Sequence, residues 1–242
     1  MSLPNGKTWY PLIVAVILIG AHATIAQVLL VRELLVVFYG NELCLGVIFG
    51  AWLLGVAVGA GVGGKMIGRV KNRFVVFLFL LLALCLLLPM QVSIIRLLRY
   101  LIDVPYGQHI SILSLLWSSP LIIMPFSFVI GFIFPFSASV FRGFTRGGAT
   151  DIGTVYILES IGSLIGGSLF TFVLAPRVSS YETMAILISI VLVNLLVLTY
   201  LIWKASSRKV LLGASISLLI VSLWFLTSGG VKRVESFFVE KR

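Results

Sequence analysis

Glu159 is the residue whose chemistry is hardest to reconcile with its neighbours. It stands eight residues after Asp151 in "DIGTVYILESIGSLIGG", an otherwise uncharged run. On a helix that separation is about 12 Å of rise. An ionisable side chain at hydrocarbon depth is costly, and such residues mark proton relays and ion sites. Glu159 shares a helix face with Gly162, Ser163 and Gly166 and has Tyr156 one turn before it, so it is expected to point into a helix bundle. Two readings stand: a proton relay or cation site, or a hydrogen-bonded carboxyl that ties helices together. His22 lies near the middle of the first apolar run. It is read as an interhelical hydrogen-bonding residue or a proton-handling group. Gln27 and Asn194 are lesser polar positions at similar depth.

A second charged feature is "QVLLVRELLVVFYGNE", residues 27–42, with Arg32 beside Glu33. Neighbours on a helix point about 100° apart and pair poorly, so each needs a partner from elsewhere. Metal and cofactor chemistry finds no ligand set. Cys44 and Cys85 each stand alone in apolar runs, without the spacing of a metal or redox motif. The second histidine, His109, falls in a loop, which leaves no bis-imidazole haem pair. The string "GAGVGGK" at 59–65 lacks the Ser or Thr after its lysine and the strand-to-helix context of a phosphate loop. No metal and no cofactor are expected.

The elements that position these residues follow from composition. Of 242 residues, 60% are hydrophobic and 11% charged, against about 25% charged in a soluble domain. Seven apolar segments recur, at roughly 10–32, 43–64, 74–95, 113–140, 152–175, 182–203 and 209–227, each long enough to cross a bilayer. The expectation is an all-α, polytopic transmembrane bundle over residues 1–228, with a short polar tail at 229–242. Lys7, the apolar run and "AHA" at 21–23 mimic a secretory leader. The apolar pattern runs straight through them, so a retained first helix is expected. Tyr10 and Trp203 fall where aromatic rings favour the headgroup level.

The net charge of +10 sits in short loops and is read as topology-setting and lipid-touching; no nucleic acid is expected. The loops after the second, fourth and sixth segments hold Lys65, Arg69, Lys71, Arg73, Arg142, Arg146, Lys204, Arg208 and Lys209 against one acid, Asp151. The other side mixes Arg32, Arg96, Arg99 and Arg177 with Glu33, Glu42, Asp103 and Glu182. The basic side, and the N-terminus with it, is expected in the cytoplasm. Seven crossings then put the C-terminus opposite, against the weak pull of Lys232, Arg233, Lys241 and Arg242. From Tyr10 to Arg32 is roughly 33 Å of helix, one hydrocarbon thickness, so Arg32 and Glu33 reach the far interface. The "LLVVFYG" after them is an interfacial elbow or a continuation of the helix. Glu42, Arg96, Arg99, Asp103, Arg177 and Glu182 are their available partners.

Packing signals are strong. Gly55, Gly59 and Gly63 recur at four-residue spacing, as do Gly162 and Gly166. Small residues on one face let helix backbones approach closely in lipid. Pro120, Pro125 and Pro135 predict bends in or beside the fourth segment. The short loops predict antiparallel packing of consecutive helices.

The block "VLLVRELLVVFYGNELCLGVIFGAWLLGVAVGAGVGGKMIGR" (28–69) resembles the start of membrane-bound, spermidine-synthase-like bacterial proteins. Arg32, Glu33, the Asn41–Glu42 pair and the small-residue ladder after Trp52 carry the resemblance. "GFIFPFSASVF" (131–141) and "IGTVYILESIGSLIGGSLFTFVLAP" (152–176) extend it, and the latter is also loosely similar to a major-facilitator-like half bundle. In that family a multi-helix region precedes a Rossmann-like aminopropyltransferase domain. These 242 residues contain no counterpart of that domain, so no catalytic residue is carried over, and a stand-alone or split membrane module is expected. A C-terminus outside the cell would conflict with cytosolic aminopropyl transfer. The resemblance implies an inner-membrane scaffold, docking partner or sensor, with a protein partner or a second copy as its target. A small cation or polyamine transporter using Glu159 and His22 is the alternative; a third is an accessory subunit of a respiratory or redox complex.

Overall fold

The computed structural model describes residues 9–40, 42–102, 110–142, 148–201 and 208–228, with Gly230 and Ser236. Seven helices follow one another: α1 (Trp9–Phe38), α2 (Glu42–Met66), α3 (Arg73–Leu101), α4 (Ile112–Arg142), α5 (Gly148–Leu169), α6 (Ser180–Leu201) and α7 (Arg208–Thr227). All seven are long and apolar enough to cross a membrane, and no strand occurs among the described residues. The chain is a multi-pass, all-α membrane protein.

The first helix settles the fate of "LLVVFYG". It continues the helix to Phe38 rather than forming an elbow. Thirty residues make about 45 Å of helix, well beyond a 30 Å hydrocarbon layer. The last turns still bury Leu34, Val37 and Phe38 against the bundle. Tyr39 closes the helix with a left-handed backbone at φ 51°, and the Gly40 N–H donates to the Leu35 carbonyl at 2.9 Å. This is the usual way a helix spends its last carbonyls before a reversal.

Other ends are set by local chemistry as well. Asn72 caps α3 by accepting from the Val75 N–H at 3.4 Å. Ser179 and Glu182 form a reciprocal capping box at the start of α6, with Ser179 N–H donating to Glu182 Oε2 at 2.9 Å and Glu182 N–H donating to Ser179 Oγ at 3.3 Å. After α5 the helix widens to a π-turn over Phe170–Leu174. Arg177 donates back to the carbonyls of Phe172 and Val173. At the opposite end of the bundle Arg73 donates to the Ile67 carbonyl and to Ser139 Oγ, joining the α2–α3 turn to α4.

The core lies between α1, α3, α4 and α6, around the fully buried Phe77, Phe126, Phe136 and Phe141. Helices α2, α5 and α7 clad this core and turn most of their apolar side chains outward. Consecutive helices pack together at α3–α4 and α6–α7, as the short loops predict. The two densest seams do not follow chain order: α2 lies along α4 and α5 along α1. Both seams are parallel pairs, and glycine makes both possible. A Cβ on Gly59 would run into the Phe128 carbonyl, and one on Gly63 would stand 2.8 Å from the Phe132 carbonyl. Gly131 answers from α4 by admitting the Val56 carbonyl. In the second seam Gly162 faces the Ile17 carbonyl, Gly20 faces that of Glu159, and Gly166 meets Ala21. Such an approach lets backbones make the van der Waals contacts that hold helices together in lipid. The neighbour rule fails for α2 and α5 because close backbone contact outweighs loop length. Residues 39–41 are few, yet α2 departs from α1 to reach the one surface its glycines fit.

Candidate functional site

Glu33 is the best-built polar site. It is 6% exposed, at the end of the bundle where α1, α3 and α6 meet. Arg96 of α3 grips its carboxylate bidentately, Nε donating to Oε2 at 2.8 Å and Nη2 to Oε1 at 3.0 Å. Ser180 of α6 donates its hydroxyl to Oε1 at 2.6 Å. The Arg96 guanidinium lies over the Tyr181 ring, 4.4 Å from its centre. Parallel N–H donors matched to two carboxylate oxygens are the strong form of this contact, and an aromatic face stabilises the cation further. One carboxylate thus ties three helices.

Arg32, its sequence neighbour, points outward and is exposed, as is Glu42 at the start of α2. The 100° turn between adjacent residues sends one charge into the bundle and the other out of it. Asn41 lies outside the described residues, as do Asp103, His109 and Trp203.

Glu159 sits elsewhere, on the α1–α5 seam. Its backbone carbonyl meets Gly20, and its side chain is half-buried with no hydrogen bond or ion pair among the described residues. Ser163, one turn on, donates to the Gly20 carbonyl at 3.2 Å. Tyr156 is 65% exposed and faces outward from α5, away from the seam.

His22 is fully buried and stacks on Phe126 of α4, ring centres 5.6 Å apart and planes 17° off parallel. Trp52 packs on the other partner of that stack, 5.9 Å from Phe126. Neither ring nitrogen of His22 has a hydrogen-bond partner among the described residues. Gln27 is half-buried on α1. Asn194 donates Nδ2 to the Pro11 carbonyl at 3.2 Å, fastening α6 to the first turn of α1. Cys44 and Cys85 are buried and form no disulfide among the described residues. No group of three or more His, Cys, Asp or Glu residues able to hold a metal occurs among the described residues.

Sequence reasoning named Arg96 only as one of six possible partners and passed over Ser180, Tyr181, Gln91 and Ser119. Ser180 and Tyr181 carry one legible signal, the S-x-x-E spacing that starts α6 beside them. Gln91 and Ser119 carry none beyond being polar in apolar runs. Comparison with protein-family models, curated proteins and solved structures returns no match to this chain.

Proposed function

We propose that this chain is a non-catalytic membrane module that docks a partner at the Glu33 end of the bundle, in the manner implied by its resemblance to the N-terminal region of spermidine-synthase-like proteins. The observation that carries this reading is the tie of α1, α3 and α6 by Glu33, Arg96 and Ser180. It makes a rigid platform, and Arg32 and Glu42 stand exposed on its rim. Charges held on rigid elements define a docking surface better than charges on loops. A bacterial cytoplasmic membrane with a cytoplasmic N-terminus accompanies the reading, together with anionic lipid at the basic loops.

The test is purification in mild detergent followed by mass spectrometry, comparing the wild type with an Arg32→Glu, Glu42→Lys charge reversal. A stoichiometric protein partner retained by the wild type and lost by the reversal is the expected result. A chain that emerges alone in both overturns the reading. Reporters fused after Arg242 test the orientation; cytoplasmic activity there would refute the seven-span, C-outside arrangement.

A second reading, a small transporter for a cation or polyamine, is favoured by one observation: Glu159 is half-buried on a membrane helix without a partner among the described residues. Uptake of a labelled cation into proteoliposomes that is abolished by Glu159→Gln supports it. Uptake that survives the change removes Glu159 from the mechanism.

A further inference from the structure

The middle of the bundle holds a row of polar groups that no docking role explains. His22 Nδ1 and Nε2, Gln91 Oε1 and Ser119 Oγ are buried and have no hydrogen-bond partner among the described residues. Each residue is at most 1% exposed. They come from three different helices, yet they meet one stripe of α4. His22 stacks on Phe126. Gln91 donates its amide to the carbonyl of Ile122, one turn away. Ser119 lies a further turn along.

Their depth can be read from the helix register. Glu33 meets Arg96, so α1 and α3 run side by side with matching ends. His22 is eleven residues below Glu33 on nearly the same face of α1, about 17 Å. It is twelve residues from Tyr10, about 18 Å. His22 is thus near the bilayer midplane. Gln91 is five residues below Arg96 on α3, about 8 Å, so it falls between His22 and the ion pair. Because α4 runs opposite to α3, Ser119 falls nearer the ion pair than Ile122 does. The four levels, His22, Gln91, Ser119 and Glu33–Arg96, step from the midplane to one rim.

Buried donors and acceptors left unsatisfied are costly, because nothing replaces the hydrogen bonds they make in water. Hydrocarbon supplies nothing to satisfy them. Buried water is the ligand that answers scattered donors and acceptors of both kinds, typically through about three hydrogen bonds. A metal is disfavoured because, among the described residues, no second histidine or carboxylate joins His22 in a ligand group. An anion is disfavoured because Gln91 and Ser119 offer lone pairs. We propose that His22, Gln91 and Ser119 line an internal water-binding site between α1, α3 and α4 that opens toward the Glu33–Arg96 pair, so that His22 exchanges protons with solvent from that end. The other titratable groups on the elements packed around it are few. Cys85 of α3 lies near the level of His22, Tyr181 of α6 lies at the ion pair, and Glu159 of α5 meets α1 beside Gly20, on the face opposite His22. The inference is independent of whether a partner docks.

The chain contains two histidines, His22 and His109. In a His109→Asn background, imidazole-¹⁵N labelling therefore reports His22 alone. The full-length protein in lipid nanodiscs would be studied by water-edited NMR. Magnetisation is expected to pass from water to the His22 ring proton within milliseconds. Gln91→Leu and Ser119→Ala are each expected to reduce that transfer at least threefold at unchanged helix content. A His22 ring that receives nothing from water overturns the proposal. So does transfer that neither substitution changes. If a substituted chain fails to fold, the measurement on the His109→Asn protein decides by itself.

Discussion

Glu33 and Glu159 are both glutamates set in apolar helices, and the bundle treats them in opposite ways. Glu33 is nearly inaccessible and saturated: Arg96 takes both oxygens, and Ser180 adds a third donor. Glu159 is closer to mid-membrane and half-buried, and among the described residues only its backbone is engaged, against Gly20. Depth alone therefore does not decide how a charge is accommodated. The number of helices converging on it does. At the Glu33 end α1 meets two other helices of the core, α3 and α6, and each supplies a donor. At the α1–α5 seam two backbones approach so closely that glycine and alanine fill the contact, which leaves no room for a partner side chain. The same tight packing that holds α5 in place keeps Glu159 without an ion pair there.

That contrast can be broken most sharply at Arg96. Arg96→Ala leaves a buried carboxylate facing a single hydroxyl, and removing one partner of a buried pair typically costs about 3–5 kcal/mol. Thermal unfolding in detergent should show a large loss. The Arg96→Met, Glu33→Leu double substitution should recover most of it, since apolar replacement of a whole buried pair is often neutral or better. A double substitution as unstable as Arg96→Ala would mean that the pair itself, rather than the orphaned charge, holds the helices. The next effect belongs to the seams. Gly59→Leu drives a side chain into the Phe128 carbonyl, and overpacking of this kind costs about 1–3 kcal/mol. Gly61, which meets nothing within 4 Å, should accept the same change with far less effect. Equal losses at the two positions would show that helix propensity, not the α2–α4 seam, is being measured. The smallest effect is expected at Glu159. Glu159→Gln removes a charge that has no partner among the described residues, so stability should move by no more than about 0.5 kcal/mol. A loss comparable to that at Arg96 would place an unseen partner on Glu159 and erase the distinction between the two glutamates.

Much of this architecture could be read from the chain without coordinates. The seven spans, the helical class and the division into a basic and a mixed-charge end rest on local properties. A run of about 20 apolar residues must satisfy its own backbone in lipid, and only a helix does so within one segment. The glycine ladders announced close packing, and it is there. The partners of those ladders were not legible. Nothing in the sequence near Gly59 names Phe128, and the short link at 39–41 pointed α2 toward α1. The candidate site divides in the same way. Arg32 and Glu33 were readable as charges that needed separate surroundings, and the structure sends one out and the other in. Which of six opposite or like charges would take Glu33 depends on helix rotation and tilt, which no spacing rule fixes. His22 looked like a helix-to-helix hydrogen bonder. It stacks on Phe126, with no partner for either nitrogen among the described residues, because the α4 stripe it faces is an aromatic ring rather than a carbonyl or hydroxyl.

By itself, then, the sequence determined that this is a seven-helix membrane protein, roughly where each span lies, and which residues are too polar to face lipid without help. Only the tertiary structure decided that α2 belongs with α4 and α5 with α1, that Glu33 closes on Arg96 and Ser180, and that His22, Gln91 and Ser119 share one stripe. The physical reason is the range of the forces involved. Span length and backbone satisfaction act within one segment, so they are written along the chain. Partner choice depends on how two surfaces distant in sequence fit at contact distance, and that is fixed only when all the helices have packed.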